Sequence, residues 1–268
     1  YPNQRMDMTG NAASKLNRAC TGRLDWGTLQ ARAYHQRTEH EMDFGPDRRF
    51  WYGPSSGGSA AVTGAPCAPL SPTCAAGMPM KADGDTTGAT LNAAIQLAER
   101  GLLRVGGEFV GFRLDDWWPP SGGGMWPYEF LNVNNGKRDR YAAYGEWEIR
   151  HRQWLHVLGL RYEHVTTDAG PVHGYNTDTF PTTVAPSPGN QTRDAALFNT
   201  RSRDQGDDNW DVSWIVGFTP SVTRSYEFGI AQKTRSPTPY ERHTWSSWQM
   251  AALLNNFVGD GHGYFGRV

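Results

Sequence analysis

The chain is 268 residues long and carries a net charge of −1, a balance that offers nucleic acid no electrostatic footprint. Apolar residues make up 38% and charged residues 20%, and no apolar run approaches the roughly 20 residues that a membrane-spanning helix needs. That excludes a helical membrane protein but not a membrane β-barrel, in which only every second strand residue faces lipid.

Thirty-one glycines, seventeen prolines and eleven tryptophans favour strands and long loops over helices. The first strand-like run covers about residues 14–24, contains Cys20 as a small semi-apolar filler, and ends at the tight Asp25-Trp26-Gly27. A second run sets Leu29, Ala31 and Ala33 against Gln30, Arg32 and Tyr34, then dissolves into a Gly/Pro/Ser-rich loop over about 43–85. The third has Ala89, Leu91, Ala93, Ile95 and Leu97 on one face and turns at 98–101. The fourth sets Leu103, Val105, Gly107 and Phe109 against Arg104, Gly106 and Glu108, and a long loop over 115–138 follows. The fifth opposes Tyr141, Ala143, Gly145, Trp147 and Ile149 to Tyr144, Glu146 and Glu148, with a short turn at 150–153. The sixth opposes Leu158, Leu160 and Tyr162 to Gly159, Arg161 and Glu163, and a third long loop covers 166–209. The seventh carries Trp210, Val212, Trp214, Val216 and Phe218. A short turn leads to the eighth, with Tyr226, Phe228 and Ile230 opposite Glu227, Gly229 and Lys233. A fourth long loop, "QKTRSPTPYERHTW" at 232–245, has no helical period.

Connections thus run short, long, short, long. With period-two alternation, this is the pattern of an antiparallel transmembrane β-barrel with short periplasmic turns and long extracellular loops. Lipid offers no hydrogen-bond partners, so such a sheet closes and turns an apolar face outward. Its inner face is free to carry Arg104, Glu108, Glu146, Arg161 and Glu227. Trp26, Trp117, Trp118, Trp154 and Trp210 near the run ends suit the aromatic girdles of the two interfaces. A soluble β-sandwich also alternates, without needing the loop asymmetry. Eight strands can close a small barrel by themselves, so the pattern leaves the strand number open.

No serine-hydrolase elbow, zinc-protease helix, C-x-x-C pair or phosphate-cradling loop occurs, so neither catalysis nor a resident cofactor is expected. Methionine says more. Met6 with Met8, and Met78 with Met80, form M-x-M pairs, the second preceded by Cys74. Residues i and i+2 of an extended segment point the same way, so each pair offers two thioethers to one ion, and soft sulfur selects Cu(I). Methionines in loops also serve as plain gap-fillers. Cys67 and Cys74 share one loop and are candidates for a disulfide in an oxidising compartment.

Several loop segments, "LDDWWPP", "FLNVNNGKRDR", "DAGPVHGYN", "KTRSPTPYERHTW" and "NNFVGDGHGY", resemble those of the TonB-dependent copper receptors of Gram-negative outer membranes. The resemblance implies a 22-stranded barrel filled by an N-terminal plug and energised through a TonB box by the TonB-ExbB-ExbD complex. Residues 1–268 then read as part of the barrel domain, about eight meander strands of it, with plug and TonB box absent; the start at Tyr1 without a signal segment fits a fragment. The implied activity is copper import across the outer membrane, not enzymatic catalysis. The implied partners are outer-membrane lipid, TonB and the copper ion. Soft ligands are drawn from Met6, Met8, Met78, Met80 and Cys74, Cys74 being open between a thiolate ligand and a disulfide with Cys67. Two alternatives stand beside this reading. One is a TonB-dependent siderophore or chelate receptor, its anionic ligand held by Trp117, Trp118, Arg235, Tyr240 and Arg242. The other is a passive pore or adhesin.

Overall fold

The computed structural model describes residues 7–43, 79–97, 101–120, 128–175, 191–248 and 251. Eight strands follow in chain order: β1 Asp7–Leu24, β2 Gly27–Asp43, β3 Met80–Leu97, β4 Gly101–Trp118, β5 Phe130–His151, β6 Trp154–Asp168, β7 Gln205–Ser221 and β8 Arg224–Gln232. Helix α1, Gln191–Thr200, lies between β6 and β7, and α2, Pro239–His243, follows β8. The strands form one antiparallel meander in the order β1 to β8, a partial β-barrel wall. Among the described residues, β1 and β8 are not paired with each other, so these eight strands do not close by themselves.

The short turns fall where the sequence places them. At the first, Gly27 has φ 151°, and a Cβ there would lie 2.0 Å from the Ala94 carbonyl oxygen. Only glycine lets β2 and β3 approach this closely. Between β5 and β6, Arg152 takes the left-handed conformation at φ 54°.

Register fixes the two faces. Leu29, Ala93, Val105, Gly145, Leu160 and Val212 form one cross-strand row, and direct cross-strand partners share a face. On this face Leu91, Trp147, Leu158, Leu160, Val212, Trp214, Phe228 and Ile230 are exposed. A row of apolar side chains turned out of the protein would be strongly unfavourable in water and is what a bilayer requires. Aromatic pairs rim it at both ends: Trp154 stacks on Phe218 at 4.4 Å near the short turns, and Tyr162 meets Trp210 at 4.8 Å towards the long loops. Trp154 to Tyr162 is about 26 Å along β6 at ~3.3 Å per residue, of the order of the ~25 Å apolar band of such walls. Cys20 lies exposed on this face, opposite Ala31, rather than filling an interior.

The opposite face carries ion pairs. Arg104 pairs with Glu146 and, at 3.1 Å, with Glu148. Higher up, Arg161 reaches Glu108 at 3.0 Å and Glu163 at 3.2 Å. Beyond the apolar band the polarity inverts along the same strands. On β4 the outward positions become Arg113 and Asp115 and the inward ones Phe112, Leu114 and Trp118; on β5 Lys137 and Asp139 now face outward.

This inversion explains why the strands are longer than the roughly ten residues expected. β3 begins at Met80 rather than near 85, β4 continues to Trp118, β5 starts at Phe130, and β6 and β7 extend to Asp168 and from Gln205. The outward apolar alternation marks only the lower portion of each strand. Two further corrections concern the loops. The third contains α1, and the fourth contains α2 despite its lack of a helical period. Thr238 caps α2 in a reciprocal capping box with Glu241, with a proline in the first turn. The hydrophobic core sits in this outer region, not in the sheet below. One cluster joins Met80, Trp118, Phe130, Tyr175 and Ala251, and a second joins Ala169, Val172, Ala195 and Phe198; Trp245 packs on both.

Candidate metal site and outer loop assembly

Of the residues singled out for metal, Met6, Cys67, Cys74 and Met78 lie outside the described residues. Met8 and Met80 are described, and they fall in one row. β1 pairs Met8 with Met42, and β2 pairs Met42 with Met80, so three thioethers line up across three strands at the long-loop end. Their Cβ atoms stand about 4.5–5.5 Å apart strand to strand, within reach of a shared ion for flexible side chains. A bulge between Met8 and Gly10 makes this possible. Unbroken pairing would put Thr9 opposite Met42 and turn Met8 outward; the extra residue restores Met8 to the inner face. Thr9 is tied by its hydroxyl to the Glu41 carbonyl at 3.4 Å.

The row has a graded environment. Met8 is 52% exposed and Met80 only 8%, packed against the aromatic cluster that also receives Met42. Thioethers sit favourably against ring edges, which anchors Met80 and Met42, whereas Met8 lies on the edge strand β1, where side chains of both faces are exposed. Among the described residues, no three His, Cys, Asp or Glu side chains gather as a metal site. Sequence reasoning missed Met42, which lies alone in "HEMDF". The available signal was its position at the start of the loop that Met80 ends, since hairpin strands bring such flanking residues opposite each other.

The residues singled out for a bulky ligand are mostly committed to other side chains of this outer region. Trp118 is 0% exposed and stacks on Phe130 at 4.5 Å, which stacks in turn on Trp245 at 4.8 Å. Burial removes Trp118 from the interfacial girdle and from any ligand-contact surface, a correction to both expectations; Trp117 remains half-buried. The driving force is its large apolar area, with the indole nitrogen satisfied by Asp116 at 3.0 Å.

Asp116 ties three segments together. Beyond the outward charged row and so clear of the apolar band, its carboxylate accepts from Trp118, from the Asn132 amide at 2.9 Å and from the Tyr240 hydroxyl. Burial pushes its pKa up to about 6 against these hydrogen bonds. Tyr240 is raised well above its ordinary value, by burial and by Asp116. The "DDWWPP" and "TPYER" segments therefore meet at one hydrogen-bonded carboxylate.

Arg235 grips Glu241 with two bonds of 2.7 Å, and Glu241 also accepts from the Thr238 backbone at 2.7 Å. The Arg235 hydrogen bonds, with those from Thr238, hold the Glu241 carboxyl down at about 2 despite its burial. Arg242 reaches Asp207 on β7 at 2.7 Å. Asp194 of α1 accepts from the Ser247 backbone at 2.8 Å, and the Trp245 indole donates to the Leu131 carbonyl at 2.9 Å. The described residues at the long-loop ends of β4 to β7, with α1 and α2, are thus braced into one knob on the inner side. Within it His243 is buried against Phe198, and burial lowers its pKa to about 4.

No family model matches this chain, and no curated protein matches it in sequence. Among solved structures, the copper transporter OprC matches at a TM-score of 0.56 and 14% identity, over 89% of this chain and 32% of that one. At this identity the likeness is one of fold: the chain has the architecture of part of a β-barrel wall. It spans about a third of the length of that transporter.

Proposed function

We propose that this chain is part of the barrel wall of an outer-membrane receptor that imports copper, with Met8, Met42 and Met80 as thioether ligands on the import path. The observation that carries the reading is the register row of three methionines at the long-loop end of the inner face. Soft sulfur donors favour Cu(I) over zinc, iron or magnesium. The exposed apolar face with its aromatic rims supports an outer-membrane location. The fold likeness to a copper transporter supports transport. Energy from TonB-ExbB-ExbD, delivered through a plug that this wall would enclose, completes the proposal. The chain makes and breaks no bond and holds copper as cargo, with no resident cofactor.

Among the described residues the outer edges of β1 and β8 are unpaired, which favours a larger barrel over a passive eight-stranded pore, because free backbone groups are not tolerated in hydrocarbon. The test is metal content, by mass spectrometry, of the full-length receptor purified in detergent after exposure to copper, zinc and iron together. Selective copper retention is expected. It should be lost when Met42 and Met80 become Leu, a swap that nearly conserves volume, and reduced by Met8→Leu. Unmodified receptor that retains no copper would sink the reading.

A further inference from the structure

A second polar constellation lies on the inner wall at the foot of the knob, apart from the methionine row. Most guanidiniums here rest on a carboxylate: Arg140 on Glu108 and Glu163, Arg161 on the same pair, Arg242 on Asp207. Arg138 has no such partner among the described residues, and its buried Nε–H donates to none of them. Two neighbours share the condition. The Nε of Arg140 is also buried without a partner, and so is the hydroxyl of Thr167, a residue only 1% exposed.

Topology brings the three together. Arg138 and Arg140 are two apart on β5 and project from the same face. Thr167 on β6 is the direct cross-strand partner of Arg138, which sets their Cβ atoms about 4.5–5.5 Å apart. Arg242, from α2, stands close enough to Arg138 to act on it electrostatically. Buried donors of this kind are costly unless an acceptor meets them. Three of them brought together by this register, with Glu163 and Asp207 as well as Arg140 and Arg242 close enough to act on Arg138, call for acceptor oxygens bearing negative charge, which a planar guanidinium fork matches best.

We propose that Arg138, Arg140 and Thr167 form a binding site for an oxyanion, a carboxylate or phosphate group, on the inner wall beneath the outer loops. The site is independent of the copper reading, since it uses none of the methionines. Its occupant is either a soluble anion entering from outside or an acidic side chain supplied by another part of the receptor, and the experiment separates the two.

Full-length receptor in detergent is melted at increasing sodium phosphate, with sodium chloride holding the ionic strength constant. A saturable rise in Tm is expected. Its midpoint should move to about tenfold higher phosphate in Arg138→Gln and about threefold higher in Thr167→Val, the scale of one charge-assisted and one neutral hydrogen bond. Arg138→Lys, which keeps the charge and loses the fork, should fall between, and Arg37→Gln on the outward rim should behave as wild type. Crystals of the receptor grown with selenate then identify the source. An anomalous peak in hydrogen-bond reach of Arg138 marks a soluble anion. An Asp or Glu of the receptor in that position, with a melt indifferent to phosphate, marks a carboxylate from the chain itself. A melt indifferent to phosphate with only water at Arg138 overturns the site.

Discussion

The lower sheet and the outer knob are built by the same strands on opposite principles. Between Gly101 and Phe109, β4 turns Leu103, Val105 and Phe109 outward and Arg104 and Glu108 inward; a few residues on, Arg113 and Asp115 face outward while Leu114 and Trp118 are buried inside. The first arrangement suits a solvent that is itself apolar, the second suits water. A single strand changes its rule where its surroundings change. The lower sheet owes its cohesion to ladder hydrogen bonds and inner ion pairs, and the knob to a packed aromatic core.

The sharpest way to break the comparison is to remove the same kind of group from each region. Phe130→Ala deletes the middle ring of the Trp118–Phe130–Trp245 stack and should destabilise the knob by about 3–5 kcal/mol. Leu160→Ala, on the exposed apolar face, should cost little, because lipid fills the space. Hydrogen exchange of the full-length receptor in lipid reads both, and equal losses at the two positions would refute the division.

Charge gives the converse test. Leu160→Arg should cost about 2–4 kcal/mol in a bilayer, whereas Ser213→Arg, on the inner face of β7 opposite Gly159, should be nearly neutral. Urea unfolding from lipid vesicles separates them, and a costly Ser213→Arg beside a tolerated Leu160→Arg would reverse the assignment of faces.

A smaller effect distinguishes the knob by pH. The Glu241 carboxyl, held at about 2 chiefly by Arg235 and then by Thr238, is depressed below its unfolded value. Its contribution is therefore fully present above about 4.5 and is lost as pH falls from there through about 2. Glu241→Gln should weaken the knob by about 2 kcal/mol near neutral pH. The gap from wild type should close over that acidic window in limited-proteolysis rates. A constant gap would assign the loss to packing instead.

The alternation of Leu103, Val105 and Phe109 was legible because one apolar face imposes one rule over the whole lower sheet. Beyond Arg113 no such rule applies, and whether Trp118 would be girdle, ligand surface or core depended on Phe130 and Trp245 arriving from other loops. Helix α2 was legible in principle: Thr238 followed three residues later by Glu241, with Pro239 between, is a helix-start signature. Helix α1 gave less, since only Ala195 and Phe198 are its buried apolar residues. The methionine row was half visible. Met8 and Met80 stood out by their spacing, but their meeting through Met42 rests on the bulge at Thr9. Counting alternation upward from the first turn would have put Met8 on the wrong face.

Along β1 and β8, each paired on one side only, alternate backbone groups point away from the described sheet. In hydrocarbon each unsatisfied group would cost several kcal/mol. In the proposed membrane setting, eight strands with both flanks open would be disfavoured as a half-way state. On the proposed reading, insertion and the pairing of both flanks with further strands would form one cooperative step.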